Sequence, residues 1–244
     1  MKSSKEPHYR GSFFIRTKTD MAAMFKDISK RYDFLNHVFS LGGDLRWRKA
    51  SVKYLNYSKD AQILDFGAGT GDFSFALRQH SSAHVTALDL VPEMLDQMKM
   101  KAGANSEKWL KLVQGDGEAL PFKENTFDGA VAGFVGRNLL DLPKGLSELY
   151  RVIKPSKKLG FLEFCKPESG FTQKATWLYH RLIIAPVGNL LIRGNKSAYQ
   201  YLIDSIESFY TAAEMRNLMK QAGFRNVISI RFNFGTVILT VATK

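Results

Sequence analysis

From Asp20 onward the apolar residues Met21, Met24, Phe25, Ile28, Tyr32 and Leu35 recur every three or four positions, which predicts an amphipathic helix. Gly42-Gly43 breaks the pattern, and a second helix follows. It carries Trp47, Ala50, Tyr54 and Leu55 on one side and Arg46, Lys49 and Lys53 largely on the other. That basic face is compatible with lying on a membrane and equally with packing on a core. The rhythm then changes. Ala61-Gln62-Ile63-Leu64 is a short apolar run that reads as a buried strand, and Phe73, Ala76 and Leu77 return to helical spacing. Further strands are expected at Ala83–Leu88, Trp109–Val113, Phe127–Ala132 and Lys158–Phe164. Helices are expected at Pro92–Lys101 and, opened by Asp141 and Pro143, at Lys144–Ile153. Strands alternating with short helices predict an α/β fold with a parallel, doubly wound sheet.

After the fifth strand the alternation stops. Residues 165–210 hold no clear strand but many aromatics, among them Phe171, Trp177, Tyr179, Tyr199, Tyr201, Phe209 and Tyr210, and Pro186-Val187-Gly188 splits them into two helical pieces. A helix over Thr211–Ala222 follows, with Thr211 as N-cap and Gly223 as its stop. Val227–Arg231 and Thr236–Ala242 read as final strands whose connection is too short for a crossover helix, so they must be antiparallel. The expected organisation is one domain: a helical segment at 1–57 opened by a mobile basic arm at 1–17, a core at 58–164, an insertion at 165–210, and a closing helix and strand pair at 211–244.

Composition narrows the setting. The chain has 244 residues, 45% hydrophobic and 24% charged, enough to bury a core without staples. Cys165 is the single cysteine, which excludes an intramolecular disulfide and a multi-thiolate metal site. No HxxxH or clustered carboxylate spacing suggests a metal. No apolar run approaches the ~20 residues that cross a bilayer. Phe13-Phe14-Ile15 is too short for a signal core, and Glu6 and Asp20 argue against a transit peptide, so the cytoplasm is expected. The net charge of +12 fits a solvated basic surface first, an anionic membrane surface second and nucleic acid third. No run of five like charges and no RNA-binding signature supports the last.

The chain is organised around Asp65-Phe66-Gly67-Ala68-Gly69-Thr70-Gly71, a glycine turn between strand and helix. Its G-x-G-x-G spacing is one residue shorter than the dinucleotide fingerprint, and it lacks the Lys of a P-loop. Asp65 and Asp72 with no Lys or Arg between Asp65 and Leu77 suit a positively charged ligand rather than pyrophosphate. An acidic residue followed by G-x-G-x-G resembles the first motif of the class I S-adenosylmethionine-dependent methyltransferases. The resemblance implies a Rossmann-like, seven-stranded, mostly parallel sheet with an antiparallel last strand and helices on both faces.

Ligands in such sheets bind beyond the carboxyl ends of the strands. The cofactor site implied for S-adenosyl-L-methionine comprises Asp65, Gly67, Gly69 and Thr70 of the turn, Asp89 for the ribose hydroxyls, Asp116 and Gly117 for the adenine, and Gly133 leaving room for the methionine part. Read without a ligand, Asp89 is a helix N-cap and Asp116 a turn residue.

Tyr32-Asp33-Phe34-Leu35-Asn36-His37-Val38-Phe39-Ser40 followed by Trp47 resembles the first signature of the UbiE/COQ5/MenG family of ubiquinone and menaquinone C-methyltransferases. Arg151-Val152-Ile153-Lys154-Pro155 with Leu159 and Glu163-Phe164 resembles the second. Glu118-Ala119-Leu120-Pro121-Phe122, Gly136-Arg137-Asn138, and Tyr201-Leu202 with Ser205-Ile206 and Phe209 are also similar to family motifs, so the likeness runs from about residue 21 to 244. Leu35, Asp44, Ser156-Lys157 and Cys165 depart from the pattern.

The resemblance implies methyl transfer to a ring carbon of a polyprenylated quinol, most simply demethylmenaquinol to menaquinol. A methyltransferase of RNA or of another small molecule is the alternative. Ring carbon attacks only when a neighbouring hydroxyl loses its proton, so the site must align, deprotonate and stabilise a phenolate. Arg137 is assigned to the phenolate, directly or through a relaying water, Asn138 to orienting the hydroxyl, and His180 and Asp33 are the candidate bases, both of them open to structural roles. The insertion, read as a substrate cover, is rich in apolar residues such as Trp177, Leu182 and Leu190, suited to a prenyl mouth at a membrane surface. A homodimer interface or plain core accounts for the same residues equally well.

Overall fold

The computed structural model describes residues 17–166, 170, 201 and 204–244. Seven strands form one sheet: β1 (Gln62–Phe66), β2 (His84–Asp89), β3 (Leu110–Gln114), β4 (Phe127–Gly133), β5 (Ile153–Phe164), β6 (Arg225–Phe232) and β7 (Val237–Thr243). Their order is β3-β2-β1-β4-β5-β7-β6, with β7 antiparallel to both neighbours and every other pairing parallel. The mostly parallel sheet with its antiparallel final strand is therefore present. The hairpin folds back so that β7, not β6, lies against β5.

Seven helices surround it: α1 (Lys18–Ile28), α2 (Tyr32–Phe39), α3 (Gly43–Leu55), α4 (Asp72–Ser81), α5 (Pro92–Ala102), α6 (Leu142–Val152) and α7 (Ala212–Gln221) among the described residues. Period-two alternation sends side chains to two cores. On one face Leu64, Phe66 and Phe161 pack with Leu146 and Leu149 of α6 and Met215 and Met219 of α7. On the other, Ile63, Val85 and Leu162 pack with Val52 and Leu55 of α3 and Phe73 and Leu77 of α4. Asp141 caps α6 by accepting the Lys144 N–H at 2.9 Å. Thr211 and Glu214 form a reciprocal capping box on α7.

Two expectations need correction. The single helix read from Asp20 to Leu35 is two, separated by a tighter turn at Ser29–Arg31. Ser29 explains the break: its hydroxyl donates to the Lys26 carbonyl at 2.9 Å, and its N–H reaches the same carbonyl instead of continuing the α ladder. The fifth strand begins five residues early, at Ile153, because Pro155 and the left-handed Ser156 (φ 63°) form a bulge that shifts its register on β4 between Phe127 and Gly129. The helical pieces expected on either side of Pro186 lie outside the described residues, as does His180.

Candidate functional site

The glycine turn leaves β1 at the carboxyl edge of the sheet. Asp65, 1% exposed, accepts a hydrogen bond from the Ser74 hydroxyl at 2.6 Å, tying the strand to the first turn of α4. Burial pushes its carboxyl up to about 6. Gly67 (φ 65°) and Gly69 (φ 55°) take left-handed backbone. A Cβ on Gly67 would stand 2.2 Å from Val135 Cγ2, whereas one on Gly69 would meet only the Tyr32 ring, at 3.8 Å. Asp89, the last residue of β2, accepts the Gly69 N–H at 2.8 Å and the Val91 N–H at 2.9 Å, so it ties the glycine turn to the entry of α5, whose N-cap is Val91 and not Asp89. Burial pushes its carboxyl up, against the pull of those N–H groups.

A cavity opens over this edge. Of the expected cofactor positions, Gly67, Gly69, Asp89, Asp116, Gly117 and Gly133 line it, and so does Asn138. Asp65, Thr70 and Arg137 are not among its lining residues. Asp65 is turned to Ser74. Thr70 donates its hydroxyl to Asp33, and Lys101 reaches the same hydroxyl at 3.4 Å. Lys101 also pairs with Asp33 at 2.8 Å and Asp72 at 3.0 Å, so a turn without local cations receives one from α5. Asp116 pairs with Lys18 at 2.6 Å, and Lys18 also meets Glu118 at 2.7 Å. Burial raises the Asp116 carboxyl, but the Lys18 ammonium outweighs this and holds it below its ordinary range.

Sequence reasoning missed Tyr32, Lys18, Glu118 and Phe134 as cavity walls. The only prior signal for Tyr32 and Glu118 was their place in motifs. Lys18 and Phe134 had none.

Two cations stand beside Phe134 without lining the cavity. Arg48 of α3 pairs with Asp44 at 2.9 Å and stands 4.9 Å from the Phe134 ring centroid. Arg137 lies 5.9 Å from the Phe134 centroid and 5.7 Å from that of Phe164. Its partner is Glu163, 1% exposed, at 2.5 Å. Burial pushes the Glu163 carboxyl up against the pull of Arg137, and its Oε2 has no hydrogen-bond partner among the described residues. Asn138 Oδ1 accepts the Tyr201 hydroxyl at 2.9 Å. His37, Asp44 and Asp72 gather their ligand atoms within 4.8 Å, a grouping the sequence spacing did not suggest, and Arg48 and Lys101 already neutralise the two carboxylates. Cys165 is buried, packed with Ala212 and Ile238.

A carboxylate-walled cavity with a single wall lysine, at the topological switch of a β3-β2-β1-β4-β5-β7-β6 sheet, fits a cationic nucleoside donor. The fold is that of the class I S-adenosylmethionine-dependent methyltransferases. A SAM-dependent methyltransferase from Aquifex aeolicus superposes with TM-score 0.58 at 21% identity, covering 80% of this chain and 88% of that one. One from Thermotoga maritima gives 0.64 at 18% identity, covering 92% and 99%. The chain belongs to the ubiE/COQ5 methyltransferase family, whose profile matches residues 15–244. It is 36% identical to a demethylmenaquinone methyltransferase of Deinococcus radiodurans over 83% of each chain. It is 36% identical to one of Thermus thermophilus over 91% of this chain and all of that one. It is also 34% identical to the ubiquinone/menaquinone biosynthesis C-methyltransferase UbiE of Geobacter sp. strain M21, over 91% and 95%.

Proposed function

We propose that this enzyme methylates a ring carbon of a polyprenylated quinol, and that the substrate is a demethylmenaquinol. The relatives from Deinococcus and Thermus, named for demethylmenaquinone, support the naphthoquinol. The observation that carries the chemistry is the division of charge about the cavity, with Asp89, Asp116 and Glu118 in its wall and Arg48 and Arg137 set beside the Phe134 part of that wall without lining it.

S-adenosylmethionine supplies a methyl group on a positively charged sulfur, and Asp89, Asp116 and the Gly67–Gly69 backbone are the groups proposed to hold it. Thr70 and Asp65 act from behind, fixing the turn through Asp33 and Ser74. On the substrate side Asn138, with Tyr201 behind it, orients the ring hydroxyl. The Arg137 guanidinium stabilises the phenolate through its field or a bridging water, since its NH1 is taken by Glu163. His180 is the proposed proton acceptor. No helix among the described residues is long and apolar enough to cross a membrane, so a bilayer-dissolved quinol calls for transient contact with the membrane surface.

Transfer of labelled methyl from S-adenosylmethionine tests the reading. Label is expected on a reduced, short-tailed demethylmenaquinol, none on its oxidised quinone, and none on RNA. Label on RNA alone would overturn it.

A further inference from the structure

Left-handed backbone outside glycine marks many of the turns in this chain, and the residue types found there are uneven. Of the eleven non-glycine residues with positive φ among the described residues, eight are Asn, Asp or Ser, whose short polar side chains are the ones best suited to turns. The other three are Leu41, Phe134 and Phe234. Phe134 is buried and walls the cavity. Leu41 and Phe234 are 62% and 84% exposed. Each therefore combines a disfavoured backbone with apolar surface left in water.

The two positions converge. Leu41 lies in the turn between α2 and α3, and Phe234 (φ 55°, ψ 21°) in the turn between β6 and β7. A groove joins these turns, lined by Leu41, Arg46, Trp47, Phe232 and Asn233. Phe232 pairs with Val237, which pairs with Phe164 at the end of β5. The Trp47 ring packs on Phe134 at 6.3 Å and Phe164 at 6.2 Å. The groove thus opens at the same sheet edge as the cavity, with two aromatic rings between them. Its charge is basic: Arg46 and Lys49 are exposed, whereas the nearby acid Asp44 is buried against Arg48 and His37. Leu45, 44% exposed, adds to the apolar surface.

We infer that the α2–α3 and β6–β7 turns form a docking surface for an anionic lipid bilayer. Leu41 and Phe234 enter the acyl boundary, and Arg46 and Lys49 meet the headgroups. Apolar tips ringed by cations match that boundary, with Trp47 beside them, and the net charge of +12 favours an anionic partner over a second copy of the same basic chain. The inference rests on the quinol reading, which requires a membrane-dissolved substrate to reach this edge.

The test is sedimentation of the full chain with phosphatidylglycerol–phosphatidylcholine vesicles and with phosphatidylcholine vesicles alone. The wild type is expected to pellet with the former and, in salt, to release. The double variant Leu41→Asn, Phe234→Asn places residues suited to left-handed backbone at both turns. It should keep or raise the melting temperature while vesicle binding falls about tenfold. Arg46→Glu with Lys49→Glu should weaken binding and flatten its salt dependence. A wild type indifferent to anionic vesicles, or a double variant that binds as well as wild type, overturns the inference. So does a double variant that changes the oligomeric state instead, which would make this face a self-interface. Turnover of the short-tailed quinol without vesicles separates the two readings. Its absence in the wild type counts against the quinol assignment, and its preservation in the double variant is expected.

Discussion

The two halves of the sheet edge are built on opposite electrostatic plans. Beyond β2 and β3 carboxylates face the cavity: Asp89 accepts the Gly69 and Val91 N–H groups, and Asp116 accepts the Glu118 N–H. Beside β4 and β5 the charged groups are guanidiniums laid near aromatic rings, Arg48 anchored on Asp44 one turn earlier in α3 and Arg137 on Glu163 of β5. The first half is held by backbone N–H groups and, at Asp116, by Lys18; the second is two ion pairs between buried side chains. The proposed reaction, with a donor of positive sulfur and an acceptor that becomes an anion, fits this division, because each half then favours the charge its proposed ligand carries.

The largest effect is expected where a pair is broken in the cationic half. Arg137→Ala should lower stability in urea unfolding by about 3–5 kcal/mol, because Glu163 is left buried and alone. Adding Glu163→Gln should restore a large part, and a double variant no better than the single would show that pairing is not what holds this half. In the carboxylate half, Asp89→Ala removes the acceptor for two N–H groups as well as a proposed ligand group. Calorimetry with S-adenosylhomocysteine should show affinity reduced about 10- to 100-fold with the fold retained. The smallest effect concerns Asp65. Its folded carboxyl titrates near 6, above its unfolded value, so the native state binds the extra proton. The stability from this group is complete below about pH 4 and lost as pH rises through about 6. Asp65→Asn should remove that slope, so the variant gains about 1 kcal/mol on wild type between pH 5 and pH 8 in urea titrations.

The same contrast explains what could be read in advance. The carboxylate half follows contiguous signals, since a strand, a glycine turn and an acid at the next strand end need only local spacing. Gly67, Gly69, Asp89 and Asp116 accordingly sit at the cavity. Thr70 and Asp65 lie in the same stretch yet face away, because spacing gives position along the chain and not the direction of a side chain. The cationic half depends on Arg48, Phe134, Arg137 and Glu163 meeting across more than a hundred residues, which only the sheet order brings about. Lys101 shows the same limit from another side. A turn free of cations in sequence has one in space. Asp44, a departure from the family pattern, acquires a reason only when Arg48 and His37 are seen beside it.

The seating of β7 has a consequence for how the molecule breathes. In the sheet β6 is hydrogen-bonded only to β7, and β7 carries Ile238 opposite Glu163. Loosening β7 from β5 therefore frees two strands at once, unfastens the turn that carries Phe234 and takes away the strand beside the buried carboxylate. Amide exchange in β6 should never be slower than in β7, and the β6–β7 turn and the Arg137 anchor belong to one opening unit.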